Sequence, residues 1–161
     1  MDVPLREEPH TTKAAREATA SQAQAGRYDL SEQIGFYLRQ ANQRHVSIFS
    51  GLIAEKLTTT QWAALVKLKD LQPCSQGNLG RETAMDMATI KGVVDRLVKR
   101  GLMNSVADPD DARRLVLTLT AEGEEMVARN LAVALQISHE TLKPLSAAER
   151  MMLMELLQKI C

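Results

Sequence analysis

Two stretches carry the residues with the most chemistry to offer. In Asp108-Pro109-Asp110-Asp111-Ala112-Arg113-Arg114, two arginines come directly after an acidic turn. Such turn residues place the side chains beyond them at an exposed tip. A tip with paired cations suits the narrow, strongly negative minor groove of duplex DNA. Asp111 is placed to hold Arg113 in one direction by an ion pair. The second stretch runs from Met87 to Arg100. With Ile90 at the origin of a helical wheel, Val93, Val94 and Leu97 fall within about 60° of it, as a buried face would. Ala88, Lys91, Gly92, Asp95, Arg96 and Lys99 fall opposite, with Thr89 at the edge. A DNA-reading helix needs this layout, small residues near its start for base edges and cations beyond for phosphates. Gly92 costs a helix interior about 1 kcal/mol against Ala, and close approach to DNA is one reason to keep it. The plain alternative is a solvated amphipathic helix beside a loop whose charges cancel. It does not explain why helix, hairpin and arginines occur together.

These residues need elements to position them. Leu30, Ile34, Leu38, Ala41, His45, Ile48 and Leu52 recur at steps of three and four, predicting a first long helix from near Leu30. Thr58-Thr59-Thr60-Gln61 has capping-box spacing and opens a second helix carrying Trp62, Leu65, Val66 and Leu68. Pro73 stops the chain and Ser75 restarts it, capping a short helix to about Glu82. Asp86 caps the helix to Arg100, and Gly101 ends it. Residues 102–107 and 113–119 read as two strands around the acidic turn. Thr120 caps a long helix to about Leu142, and Ser146-Ala147-Ala148-Glu149 boxes a last one to Ile160. The fold class is therefore mainly α with a small β-hairpin wing, a winged helix-turn-helix with long terminal helices. The chain divides into four segments: residues 1–27, a polar tail with no apolar stripe and expected to be disordered; 28–57, the first long helix; 58–120, the winged lobe; and 121–161, the C-terminal helices.

Composition narrows the function. The chain has 161 residues, one Trp, two Tyr and two Phe, and two cysteines. Cys74 and Cys161 are too few for a disulfide framework and too scattered for a metal site, which indicates a reducing, cytoplasmic setting. No run reaches the roughly 18 apolar residues of a membrane span, so no membrane partner is expected. No Gly-rich phosphate loop, nucleophile motif or His–carboxylate constellation points to an enzyme, and nothing calls for a cofactor or metal. Lys plus Arg total 20 and Asp plus Glu total 20, yet this zero balance is an average. Residues 75–101 hold five cations against three acids, and residues 121–161 hold six acids against four cations. The lobe with the candidate DNA residues is the basic one. Without a large global charge, sequence-independent DNA affinity should be weak.

The segments LTTTQWAALVKL, SQGNLGRETAMDMATIKGVVDRLVKRGLM and DPDDARRLVLTLTAEGEEM resemble the MarR family of winged helix-turn-helix repressors. The resemblance runs from about Leu30 to Ile160. Its most specific part is D-P-x-D-x-R followed by L-T-x-x-G, here Asp108, Asp111, Arg113, Leu119, Thr120 and Gly123. It implies a homodimer joined by its terminal helices, with recognition helices in successive major grooves of a double-stranded operator and wing arginines in the flanking minor grooves. Matched positions carry these roles to Thr89, Lys91, Gly92, Arg96 and Arg113, with Ser75 and Arg114 as neighbouring candidates. Family members often have a basic residue where Ala112 stands, and Ser and Arg where Lys91 and Gly92 stand. The apolar stripes from Leu30 to Leu52 and through Val127, Leu131, Ala134, Leu135, Leu142 and Leu145 exceed what a small winged lobe covers, which independently argues for a second copy. Twofold symmetry would set the recognition helices about 34 Å apart.

The family commonly binds small aromatic acids and phenols between its dimer region and its DNA lobe. His45, central in the first helix's stripe, is the candidate polar group of such a pocket, or else a core histidine satisfied by a hydrogen bond. Tyr37 and Arg44 share one edge of that helix about 20° apart. Arg44 could clamp a carboxylate, and Trp62 could supply an aromatic wall. The segment YLRQANQRHVSIF is similar to that of members controlling aromatic or N-heterocyclic acid breakdown. Two other readings remain: a winged-helix module for protein partners, and a redox-responsive repressor using Cys74.

Overall fold

The computed structural model describes residues 28–108, 111 and 114–161. The tail and its His10 lie outside the described residues. The chain divides into two units, Met1–Arg39 and Gln40–Cys161. In the first, Asp29 accepts from the Ser31 backbone N–H at 2.9 Å and opens a short 3-10 turn, Leu30–Glu32. Gln33 then adopts extended backbone, φ −88° and ψ 134°, so the α-helix starts later than its apolar spacing predicts. That helix, α1 (Ile34–Leu52), begins in the first unit and ends in the second.

The second unit continues with α2 (Thr59–Leu71), β1 (Cys74–Ser75), α3 (Gln76–Glu82) and α4 (Met87–Lys99). Then come β2 (Met103–Ala107), β3 (Leu115–Leu119), α5 (Ala121–Leu142) and α6 (Ala147–Ile160). The predicted caps are the observed ones. Thr58 and Ser146 each complete a reciprocal capping box, and Ser75, Asp86 and Thr120 each accept a backbone N–H three residues on. Each cap satisfies a donor that the first helical turn leaves unpaired.

The strands form one antiparallel sheet in the order β1-β3-β2. Met103 faces Leu119 and Ala107 faces Leu115, while Cys74 faces Leu117 across the other edge of β3. The sequence predicts only a loop at the two-residue β1, because nothing in so short a segment signals a strand. The core lies under this sheet, where Leu65 and Leu68 of α2, Leu79 of α3, Ile90 and Leu97 of α4 and Leu117 of β3 are fully buried. Among the described residues, no helix is long and apolar enough to cross a membrane. Nor do the described residues hold a group of three or more His, Cys, Asp or Glu that could bind a metal ion.

The L-T-x-x-G segment has a structural explanation. Gly101, at φ +72°, turns the chain out of α4. Thr120 clamps that turn: its hydroxyl donates to the Gly101 carbonyl at 2.7 Å, and its N–H donates to the Leu102 carbonyl at 3.2 Å. The same hydroxyl accepts from the Gly123 N–H at 3.0 Å. A Cβ on Gly123 would collide with the Leu102 carbonyl oxygen. Backbone rather than a flexible side chain stands in the way, so the wing and α5 would have to move apart. Gly123→Ala is expected to lower stability by about 1–3 kcal/mol, or several degrees of melting temperature at about 2–4 °C per kcal/mol. A thermal melt matching that of the unsubstituted protein would refute this close approach.

Candidate nucleic-acid interface and ligand cavity

Helix α4 is built as its wheel predicts. Ile90, Val93, Val94 and Leu97 are buried, whereas Ala88, Thr89, Lys91, Asp95, Arg96 and Lys99 are exposed and Gly92 is half-buried. Asp86 fixes where the helix begins. Its carboxylate accepts from the Thr89 N–H at 2.8 Å and the Thr89 hydroxyl at 2.7 Å. These two bonds, the backbone one first, hold the Asp86 carboxyl below the usual carboxylate range. The cap is therefore complete at neutral pH and is lost only as pH falls through that lowered value. The Thr89 hydroxyl spends its proton on Asp86 and keeps its lone pairs for a donor outside. A Cβ on Gly92 would meet only the guanidinium of Arg96, at 3.4 Å. The protein's own packing thus gives no reason for glycine there.

The wing stands beside this helix start. The Asp108 N–H donates to the Arg114 carbonyl at 2.9 Å and closes the loop joining β2 to β3. Arg114 Nε lies 3.6 Å from Asp111 Oδ2, so Asp111 orients this arginine. Arg113 lies outside the described residues, as do Pro109, Asp110 and Ala112, and with them the expected Asp111–Arg113 pair. Arg114 and Ser75 come together across an open concavity of about 450 Å³ that Gln76, Gly77, Arg81, Met87 and Leu115 also line. Sequence reasoning missed Gln76, Arg81 and Met87. The signal available was positional, since α3 directly precedes α4 in the chain and Met87 opens α4.

A second cavity, of about 260 Å³, lies among α1, α2 and α5. His45 and Phe49 enter it from α1, Thr59, Trp62 and Ala63 from α2, and Ala134, Ile137 and Ser138 from α5. The hydroxyl of Thr141 donates to the Ile137 carbonyl at 2.8 Å and stands 3.0 Å from His45 Nδ1. Its proton is thus committed, so His45 Nδ1 is the donor between the two. With Nδ1 donating, a neutral ring would carry its lone pair on Nε2, an acceptor for an acidic O–H or N–H. An apolar, aromatic wall with a few polar groups, here His45, Thr59 and Ser138, is the usual make-up of a small-molecule site, and the volume suits a single ring.

The structure brings His45 and Trp62 together but not Arg44. Arg44 donates to the carbonyls of Glu140, at 3.1 Å, and Thr141, at 3.5 Å, and lines a separate groove with Ile48, Gly51, Leu52, Gln136 and Glu140. Adjacent helical residues point about 100° apart, and the carbonyls at the negative end of α5 attract the guanidinium. Arg44 thus caps the end of α5, apart from the cavity that His45 lines. Tyr37 belongs to the N-terminal unit, where it is exposed and edge-on to Phe36 at 6.1 Å. Phe49 was legible as the residue one helical turn after His45, whereas the α5 residues were not. Cys74 is buried in β1, and burial pushes its thiol up. The reactive thiolate is disfavoured there.

The MarR family model matches residues 57–115. The transcriptional repressor NicR of Pseudomonas putida is 40% identical over 134 residues, 83% of this chain and 85% of its own length. A probable transcriptional regulator from Pseudomonas aeruginosa superposes with a TM-score of 0.79 at 52% identity, covering 83% of this chain and all of that one. BpsR of Bordetella bronchiseptica, whose DNA binding is regulated by 6-hydroxynicotinic acid, gives a TM-score of 0.78 at 41% identity over 84% of this chain and 97% of its own.

Because the fold does not require glycine at position 92, Gly92→Ala is expected to stabilise the protein by about 0.5–1 kcal/mol. A calorimetric melt shifted downward would show instead that packing demands Gly92.

Proposed function

The chain belongs to the MarR family of DNA-binding transcriptional regulators, and on that premise we propose that it is a homodimeric repressor of a pseudo-palindromic operator, released by a small aromatic acid or phenol. The hydroxylated N-heteroaromatic acids come first among these effectors. What carries the reading is the cavity itself: one ring in size, lined by Phe49 and Trp62, with His45 held in one tautomer by Thr141. The likeness to NicR and BpsR supports the choice of ligand class.

In this reading Thr89, Lys91, Gly92 and Arg96 enter the major groove. Arg113 and Arg114 reach the flanking minor groove, and Ser75 sits over the backbone. A duplex without a large positive field to hold it depends on these placed contacts. The dimer is supported by large apolar side chains left uncovered on the terminal helices. Leu135 on α5 is 74% exposed and Met151 on α6 is 72% exposed, with Met152, Leu156 and Ile160 beside it in sequence. Single chains rarely leave such faces in water.

Release follows from where the cavity lies. Helix α2 packs on α4 and β3 of the reading lobe and also on α5. A ligand wedged between α2 and α5 favours a dimer whose two α4 helices are wrongly set for successive grooves. It weakens DNA binding by its differential affinity for the two states.

DNA from upstream of the coding sequence, titrated by fluorescence anisotropy, is expected to bind the dimer and to be released by 6-hydroxynicotinate. His45→Ala should keep operator affinity within about threefold and lose most of the response, a loss of one hydrogen-bonded polar contact being about tenfold or more. Loss of folding in that variant would make His45 a core residue instead. Gly92→Ala, more stable than the parent, should bind the operator at least about tenfold more weakly. Unchanged affinity would remove Gly92 from the interface.

A further inference from the structure

The turn between α1 and α2 is gripped from both sides. Ile53 and Leu57 bury their side chains at its ends, and Lys56 takes a positive φ of 52° within it. From the reading lobe, Arg100, which caps the C-terminus of α4, donates Nη2 to the Glu55 carbonyl at 2.8 Å and Nη1 to the Lys56 carbonyl at 3.4 Å. From α5, Arg129 donates Nε to Glu55 Oε1 at 3.1 Å and Nη2 to Glu122 Oε1 at 3.0 Å. Backbone and side chain of one residue thus join the end of the reading helix to the long C-terminal helix.

Glu55 is an unusual choice for a surface tie. Its side chain is only 22% exposed, and Oε2 is buried with no hydrogen-bond partner. The Asn130 side chain, with Arg129 behind it, holds the carboxyl below its ordinary range. The Asn130 amide donates one N–H to the Met126 carbonyl at 3.0 Å and has a second near the Glu55 carboxyl, yet Oε2 itself gains no hydrogen bond. Exposed ion pairs contribute little and are readily replaced. A largely covered carboxylate that keeps one oxygen unpaired is costlier to hold, and a fold indifferent to it would not need it. The cavity lies close by in the chain. Thr59 and Trp62 open α2 just after this turn, and Ala134 follows Arg129 on α5. The Glu55–Arg129 contact thus joins the turn leading into α2 to α5, and α2 and α5 face each other across the cavity.

We propose that Glu55 is a positioning residue for operator binding: with Arg100 and Arg129 it straps α4 to α5 in the DNA-competent arrangement, and the strap opens when the cavity is filled. The proposal rests on the ligand-released repressor described above. It has a signature that a merely structural residue lacks. A contact made only in the DNA-competent state biases both ligands at once, so its loss weakens the operator and tightens the effector.

The test uses full-length dimer with Glu55→Gln, which keeps shape but removes charge, Arg129→Gln, and the double variant. Operator affinity is read by anisotropy. Affinity for 6-hydroxynicotinate is read by calorimetry without DNA, with melting temperature and sedimentation as controls. Each single variant should bind the operator about tenfold more weakly, the double no worse than either single, and 6-hydroxynicotinate should bind more tightly to all three. Unchanged operator affinity, additive losses, or operator and ligand affinities falling together with the melting temperature would each overturn the strap. If 6-hydroxynicotinate fails to bind the unsubstituted protein, the proposed effector class fails, and the strap is decided by the operator cycle alone. Non-additive losses with an unchanged melting temperature then uphold it, and additive ones overturn it.

Discussion

Everything in the second unit depends on α2 being buried on more than one side. Ala64, Leu65 and Leu68 are wholly covered, and even Gln61 at its start is buried, its side chain returned to the Thr58 N–H at 3.0 Å. One flank of the helix supports α4 and β3, and the other meets α5. Close-packed interiors do not deform continuously, so a change on one flank reaches the other as a rigid shift. The cavity at the first turn of α2 stands where such a shift would start. Gln72, at the other end, receives the Leu119 N–H at 2.6 Å and donates to Glu124 at 3.1 Å, which ties the wing strand and α5 to the same helix.

Helix starts and faces are legible in the sequence because their chemistry is local. Thr58, Ser75, Asp86, Thr120 and Ser146 mark helix starts by the residue type that satisfies the first turn's free N–H groups, and no tertiary contact is needed for that. The wheel of α4 and the alternation along β3 come from periods of 3.6 and 2. The late start of α1 shows the limit: the apolar spacing runs on through Leu30, yet Asp29 stabilises a tighter turn and Gln33 breaks the helix.

The illegible part is long-range. His45 and Trp62 are reasonable pocket candidates from spacing alone, but Ala134, Ile137 and Ser138 join them only because α5 crosses there. Arg44 looks free to hold a carboxylate in the sequence, and the end of α5 claims it in the fold. Glu55 and Arg129 are 74 residues apart and nothing in either neighbourhood announces the pair. Gly123 is the intermediate case, visible as a motif residue whose reason, the passing Leu102 carbonyl, belongs to the fold.

The charge balance fits this division. A chain with equal numbers of cations and acids lacks a strong general field for DNA, so the proposed control acts on the placement of a few contacts rather than on field strength. In the proposed mechanism, placement is what a wedge between α2 and α5 alters. The most direct measurement is reciprocal linkage: operator affinity with and without saturating 6-hydroxynicotinate, set against 6-hydroxynicotinate affinity with and without saturating operator. Equal factors well above one in both directions are expected. A ligand that binds with the same affinity to free and operator-bound dimer would contradict the coupling of the cavity to the reading helix.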